Sequence, residues 1–149
     1  MTIRGQGRNY FQRPAATAVK ALLAQAQLPA SDLTEAHLEH FIGCGSAETL
    51  QGVVGLELYP PCALLRSLAV TAAERGNGVG GALLADAERY ARSRGVAEIY
   101  LLTNTAERFF ERKGYQRIPR DSAPAAIRAT QEFAALCPAS SALMRKRLT

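Results

Sequence analysis

Two hydrophobic periods share the chain. From Ala15 to Gln27, Val19, Leu22, Leu23 and Ala26 recur at helical spacing and predict a helix with one apolar face. Pro29-Ala-Ser-Asp32 breaks it, and Asp32 is placed to cap a short helical turn. Strands are predicted at about 38–44, 51–59 and 63–70. Turns at Gly45–Thr49 and Pro60-Pro61 make the three antiparallel. Residues 2–12 read as a short strand or a loose segment. Val79 to Arg94 is the clearest helix, with Val79, Leu83, Ala87, Tyr90 and Ala91 as its buried stripe and Gly95 as its stop. A strand at Glu98–Thr103, a short helix at about 105–113, a strand at 115–118, a helical pattern from Pro124 to Leu136 and a last strand at 142–148 complete the order. The order predicts an α/β (mixed α+β) layer fold.

The 149 residues suit one domain, 1–149, with a core of ordinary size. No run of about 18 apolar residues is present and the start, MTIRGQGRNYFQRP, is polar, so neither a membrane span nor a secretory signal is expected. Cys44, Cys62 and Cys137 are odd in number and widely spaced, which points to reduced thiols and a cytoplasmic setting. The net charge of +5 admits nucleic acid as a partner. Yet the basic residues are scattered, their densest run being Arg145-Lys146-Arg147, and attraction of a small polyanion accounts for the charge as well. Neither nucleic acid nor membrane is therefore expected as a partner.

The chemistry begins at Ala73-Glu-Arg-Gly-Asn-Gly-Val-Gly-Gly-Ala-Leu-Leu84. Glycines are costly within a helix and useful where a ligand must approach the backbone. At a helix start they let an anion sit on free N–H groups at the positive dipole end, and phosphate or pyrophosphate suits such a seat. No Gly-Lys-Ser/Thr follows, which sets the Walker loop aside. Gly76, Gly78 and Gly81 satisfy G-x-G-x-x-G, but antiparallel strands precede them where a dinucleotide fold needs a βαβ unit. An ordinary glycine-rich loop without a ligand is the remaining plain reading.

The whole stretch fits a third pattern. Leu68-Ala69-Val70, a short polar link, then Arg75-x-x-Gly78-x-Gly80 and a helix resemble the acetyl-CoA signature of the GNAT superfamily of N-acetyltransferases. Ala106-Glu-Arg-Phe-Phe-Glu-Arg-Lys-Gly-Tyr115 resembles the second signature of that superfamily, in the right order. Arg66–Val70, Leu101–Thr103 with Phe109-Phe110, the run Ala125 to Pro138 and Met144-Arg-Lys146 are similar to the arsenic-resistance N-acetyltransferases. The core also resembles the acetyltransferase domain of N-acetylglutamate synthases.

The resemblance implies a mostly antiparallel sheet of six to seven strands with a V-shaped splay. It implies acetyl-CoA as co-substrate, no metal, and a small amino acid-like amine as acceptor. The CoA contacts carried over are Leu68, Ala69, Val70, Arg75, Gly76, Asn77, Gly78, Val79, Gly80, Gly81, Thr103, Phe109 and Phe110. An amine attacking a thioester needs a fixed donor for the carbonyl oxygen, which the resemblance places on the backbone at Leu68–Val70. It also needs a route for the amine's proton.

Glu57 is the candidate base, sharing a strand face with Gly55 and Tyr59; a solvated strand carboxylate is its plain reading. The superfamily often carries a base at the position of Leu64 and a thiolate-protonating tyrosine at that of Phe110, so both are missing. Tyr115 reads as core packing, and His37 and His40 as surface residues. Arg66 interrupts an apolar strand on a parity shared with Leu64, Leu68 and Val70. It is expected either to receive a substrate carboxylate or to pair internally with Glu57. The cysteines read as small buried hydrophobes. Ile127, Phe133, Leu136, Leu143 and Met144 offer more apolar surface than the core requires, which suggests a homodimer. The missing tyrosine and glutamate keep open a domain that binds CoA or a partner without turnover, and a protein acetyltransferase.

Overall fold

In a computed structural model, residues 9–46 and 48–149 are described. The strands are β1 (Tyr10–Gln12), β2 (Phe41–Gly45), β3 (Leu50–Tyr59), β4 (Cys62–Val70), β5 (Glu98–Thr103), β6 (Gln116–Ile118) and β7 (Ala142–Arg147). They form one sheet in the order β1-β2-β3-β4-β5-β7-β6. Every pair is antiparallel except β4 with β5. The predicted mixed α/β fold is therefore present. The part of the predicted first strand before Asn9 lies outside the described residues.

Side-chain alternation gives the sheet two apolar faces. One takes α3 (Val79–Ser93) and α4 (Glu107–Arg112): Leu83, Ala87 and Phe110 pack on Val54, Leu65 and Ile99. The other takes α1 (Ala16–Gln25) and α2 (Glu35–Leu38), with Val19 and Leu23 against Phe41, Val53 and Ala69. Gly55 makes room there, since a Cβ on it would lie 2.2 Å from the Phe41 ring. Farther along the same face, Ile127 of α5 (Ala125–Arg128) packs on Leu64, Tyr100 and Leu143. Ile127, Leu143 and Met144 are thus buried within the chain, which removes most of the apolar surface that suggested a homodimer. No helix among the described residues is long and apolar enough to cross a membrane.

β4 is not a regular strand. Val53 pairs with Ala69, but Gly55 pairs with Arg66, so β4 carries one extra residue at that point. Ser67 takes up the excess with φ of 62°. A bulge of this kind bends the strand and reverses which face its later side chains meet. The parity assigned to Arg66 therefore holds only with Leu64; Leu68 and Val70 cross to the α3 face. The bend also ends the pairing with β5 after three residue pairs, Cys62–Leu64 with Glu98–Tyr100. β5 keeps β7 along its whole length, Glu98–Thr103 against Arg147–Ala142, so the sheet opens as a V between β4 and β5.

The predicted helix from Pro124 to Leu136 is interrupted. α5 ends at Arg128, and a π-helical turn runs from Glu132 to Leu136. Thr130 causes the break: its hydroxyl donates to the Ile127 carbonyl at 2.7 Å and accepts the Phe133 N–H at 3.2 Å. Such local bonds compete with the helical ladder. An unbroken helix would aim Glu132 about 140° away from Ile127, at roughly 100° per residue. The interruption buries both.

Arg66 joins these parts. Its side chain is fully buried. Nη1 donates to Asp32 at 2.6 Å and Glu57 at 2.8 Å, and Nη2 donates to Asp32 at 2.8 Å. Nη2 also faces the Pro29 carbonyl at 3.5 Å and Glu132 at 3.3 Å, while Nε donates to the Ser67 hydroxyl at 3.1 Å. Asp32 thus serves this cluster and does not cap α2; Thr34 does, in a reciprocal pair with His37. The Thr34 hydroxyl accepts the His37 N–H, leaving the Asp32 carboxylate free to turn inward.

Two substitutions test this packing by urea unfolding followed by circular dichroism. Gly55→Ala forces a methyl into the Phe41 ring and is expected to cost about 1–3 kcal/mol. Arg66→Leu leaves three buried carboxylates without their cation and is expected to cost about 3–5 kcal/mol at pH 8, with a smaller loss at pH 5 as the carboxylates take up protons.

Candidate active site

The V between β4 and β5 forms a cleft of about 610 Å³. One wall is residues 65–70 of β4 and the other is residues 101–106, with the Glu132–Pro138 segment and Ser141 closing one end. Because β4 and β5 have separated, the β4 edge facing the cleft has no strand partner there. Backbone groups on this edge, and on the β5 edge at residues 101–103 opposite, are open to a ligand in the cleft.

The glycine loop stands at the mouth. Gly76 and Gly78 have φ of 85° and 82°, and a Cβ on either would meet no atom within 4 Å. These glycines therefore serve the backbone conformation rather than close packing. Gly78 is the N-cap of α3, with no side chain capping it. The first helical bond runs from Ala82 N–H to the Gly78 carbonyl, which leaves the N–H groups of Val79, Gly80 and Gly81 outside the ladder. Gly80 lies against Val70 and Phe109, and the Lys113 ammonium would be 3.1 Å from a Cβ on Gly81. Arg75 is exposed and lines the cleft. Free amides, a positive helix end and two cations fit a pyrophosphate.

The structure brings Leu68, Ala69, Val70, Arg75, Thr103 and Phe110 together around the cleft with Arg66. Val79 contributes only backbone, its side chain being 1% exposed, and Asn77 turns its amide to Glu74. Phe109 packs edge-on to Phe110 beside Gly80. Glu57 is not in the cleft. It lies behind Arg66, 3.8 Å from His37, accepts the Tyr59 hydroxyl at 2.6 Å and borders a separate shallow hollow. Arg66 reaches the cleft wall, yet its N–H groups are already engaged within the chain and offer a substrate carboxylate no free donor.

Sequence reading passed over Glu132. It is 4% exposed, lines the cleft, and holds Cys137 Sγ 3.8 Å from Oε1. Burial pushes its carboxyl up to about 7; Arg66 opposes this, and the neighbouring charges of Asp32 and Glu57 add to it. Burial also pushes the Asp32 carboxyl up, but Arg66's hydrogen bond and charge outweigh that and hold it below the usual range. Cys137 is pushed up to about 12 by burial and by the Glu132 charge, so it remains a thiol at neutral pH. The one available signal was a lone carboxylate in the apolar run 125–138.

Tyr115 is core: its hydroxyl donates to Glu88 at 2.9 Å, its ring meets Phe110, and it is 2% exposed. Leu64 is fully buried, so its position offers no base. His40 bonds the Tyr90 hydroxyl at 2.6 Å. The side-chain ends of Asp32, His37 and Glu57 come within 4.8 Å of one another, with both carboxylates bonded to Arg66.

Similarity to known proteins follows the same outline. The chain is similar to N-acetylglutamate synthase from Neisseria gonorrhoeae, solved with coenzyme A and N-acetyl-glutamate, at 21% identity and a TM-score of 0.77. That match covers 95% of this chain and 35% of the synthase, so the chain spans about a third of the synthase's length. It is similar to a GNAT-family acetyltransferase from Staphylococcus aureus at 15% identity, with a TM-score of 0.71, over 96% of this chain and 100% of that one. It is also similar to the PaiA N-acetyltransferase from Thermoplasma acidophilum, solved with coenzyme A, at 15% identity and a TM-score of 0.65, covering 95% and 99% of the two chains. Identities this low show a shared fold. No curated protein matches the sequence significantly. The description "Acetyltransferase (GNAT) family" matches residues 10–115, more than two-thirds of the chain and all of the strand, glycine loop and helix that shape the cleft, and the protein belongs to that family.

Proposed function

We propose that residues 1–149 act as a single N-acetyltransferase domain that moves acetyl from acetyl-CoA to the amino group of a small amino acid-like substrate, both bound at once. The observation that carries this reading is one cleft with two unlike ends. A glycine-opened helix start and Arg75 stand at one, a buried carboxylate at the other, and an unpaired strand edge lies between.

The backbone N–H groups of Val79, Gly80 and Gly81, with Arg75, would hold the pyrophosphate. Bound there, acetyl-CoA supplies an acetyl thioester. A backbone donor on β4 between Leu68 and Val70 would face the thioester oxygen, where negative charge develops. Holding the two reactants together contributes much of the acceleration.

The resemblance of 125–138 and 144–146 to arsenic-resistance N-acetyltransferases supports a toxic amino acid analogue as acceptor. A second reading, a domain that binds CoA without turnover, is favoured by Phe110: it lines the cleft at the position where the superfamily often carries a proton-donating tyrosine.

Acetyl-CoA at a hundredfold excess over its Kd should stabilise the chain by about 2.7 kcal/mol, read as a rise in Tm. Gly78→Asp, which places a carboxylate at the anion seat and a Cβ where φ is 82°, should abolish the rise. Thiol release should then follow with a member of a panel of amino acids and phosphinothricin-like or arsenical analogues. A Tm rise with no thiol release from any amine would favour the second reading.

A further inference from the structure

Resting on the acetyltransferase reading, we propose that Glu132 is the catalytic base: it receives the acceptor's ammonium group in the cleft and takes its proton. The strand positions expected to supply a base do not serve, since Leu64 is apolar and Glu57 lies behind Arg66. Glu132 lines the same cleft as the open β4 edge. Its carboxylate is fixed from two sides, by Arg66 Nη2 at 3.3 Å and Cys137 at 3.8 Å, and its carbonyl accepts the Cys137 N–H at 2.8 Å across the π-turn.

The charges around it choose the ligand. Arg66 from β4, Asp32 from the loop after α1, Glu57 from β3 and Cys137 on its own segment face Glu132. Three carboxylates share one guanidinium; His37, 3.8 Å from Glu57, borders the separate hollow and not the cleft, so on the cleft side a second cation is what the cluster lacks. An entering ammonium supplies it, whereas an entering carboxylate would be repelled. A carboxyl held up to about 7 by burial is half-ionised near neutral pH, where a general base works best.

The transfer then balances. The ammonium gives a proton to the Glu132 carboxylate, and the freed amine nitrogen attacks the thioester carbonyl carbon. The C–N bond forms, the C–S bond breaks, and its electron pair leaves on sulfur. The nitrogen's remaining surplus proton passes to the thiolate or to water. Arg66 is a positioning residue, holding the carboxylate without touching the acceptor.

Glu132→Gln keeps the shape and the Arg66 contact. Expected are a fall in acceptor kcat/KM of about a hundredfold or more, an unchanged Tm rise with acetyl-CoA, and loss of the inflection near pH 7 from the pH–rate profile. Glu132→Ala should regain part of its rate with added formate. Stability gives a readout without turnover. Glu132 binds its proton more tightly in the folded chain than in the unfolded one. Its contribution is therefore full below the ordinary carboxylate range and is lost as the pH rises to about 7. The wild-type Tm should fall across that window, and Glu132→Gln should flatten the fall. A folded Glu132→Gln enzyme with a rate within threefold of wild type and the same inflection overturns the proposal while leaving the acetyltransferase reading intact. Absence of thiol release in the wild type with every amine overturns both.

Discussion

A single guanidinium determines how the closed end of the cleft is built. Arg66 gathers Asp32, Glu57 and Glu132 from three otherwise separate parts of the chain, and none of the four is appreciably solvated. Charges taken out of water are tolerated only when each finds opposite charge and directional hydrogen bonds, and the planar five-donor fork of arginine can satisfy several acceptors at once. A lysine would offer one point of charge and no fork. The loop after α1, β3, β4 and the C-terminal segment are thereby held to a common point, and the closed end of the cleft inherits their rigidity.

The two ends of the cleft are made differently. The end proposed for the pyrophosphate is almost entirely backbone: two glycines at positive φ, a helix start without a capping side chain, and N–H groups outside the ladder. Such a seat recognises a pyrophosphate whatever else the chain carries, which is why it can be common to a whole family. The closed end, where we propose that the acceptor sits, is made of side chains drawn from distant positions in the sequence. In the proposed reading selectivity belongs there, because this end is built from side chains and not from backbone.

This division also explains what could be read from the sequence. α3, its glycine loop, the Pro60-Pro61 turn and the central strands announce themselves by local periodicity and turn chemistry, and each stands where it was expected. Three features did not, because each depends on contacts between distant segments. The bulge at Ser67 leaves no mark in an apolar run and reversed the expected facing of Leu68 and Val70. Asp32 had the residue type of a cap, but Thr34 took that place. Glu132 sat in a stretch whose composition suggests one continuous helix, and the Thr130 side chain that breaks it could equally have pointed to water. Arg66 stood out as a charge among apolar neighbours, and pairing with Glu57 was one of its two expected roles; the other two carboxylates lie 34 and 66 positions away in the chain.

The extra residue in β4 has a mutational corollary. Before Ser67, even-numbered side chains such as Leu64 and Arg66 meet the layer of α5 and the buried charges; after it, that layer belongs to the odd-numbered Ala69. The two halves of one strand consequently accept mutations by opposite rules. A one-residue deletion at Ser67 would turn Leu68, Ala69 and Val70 to the faces opposite those they now meet. The irregularity thus sets the phase of every side chain beyond it, and apolar and polar positions there fit the sheet only while the extra residue stays.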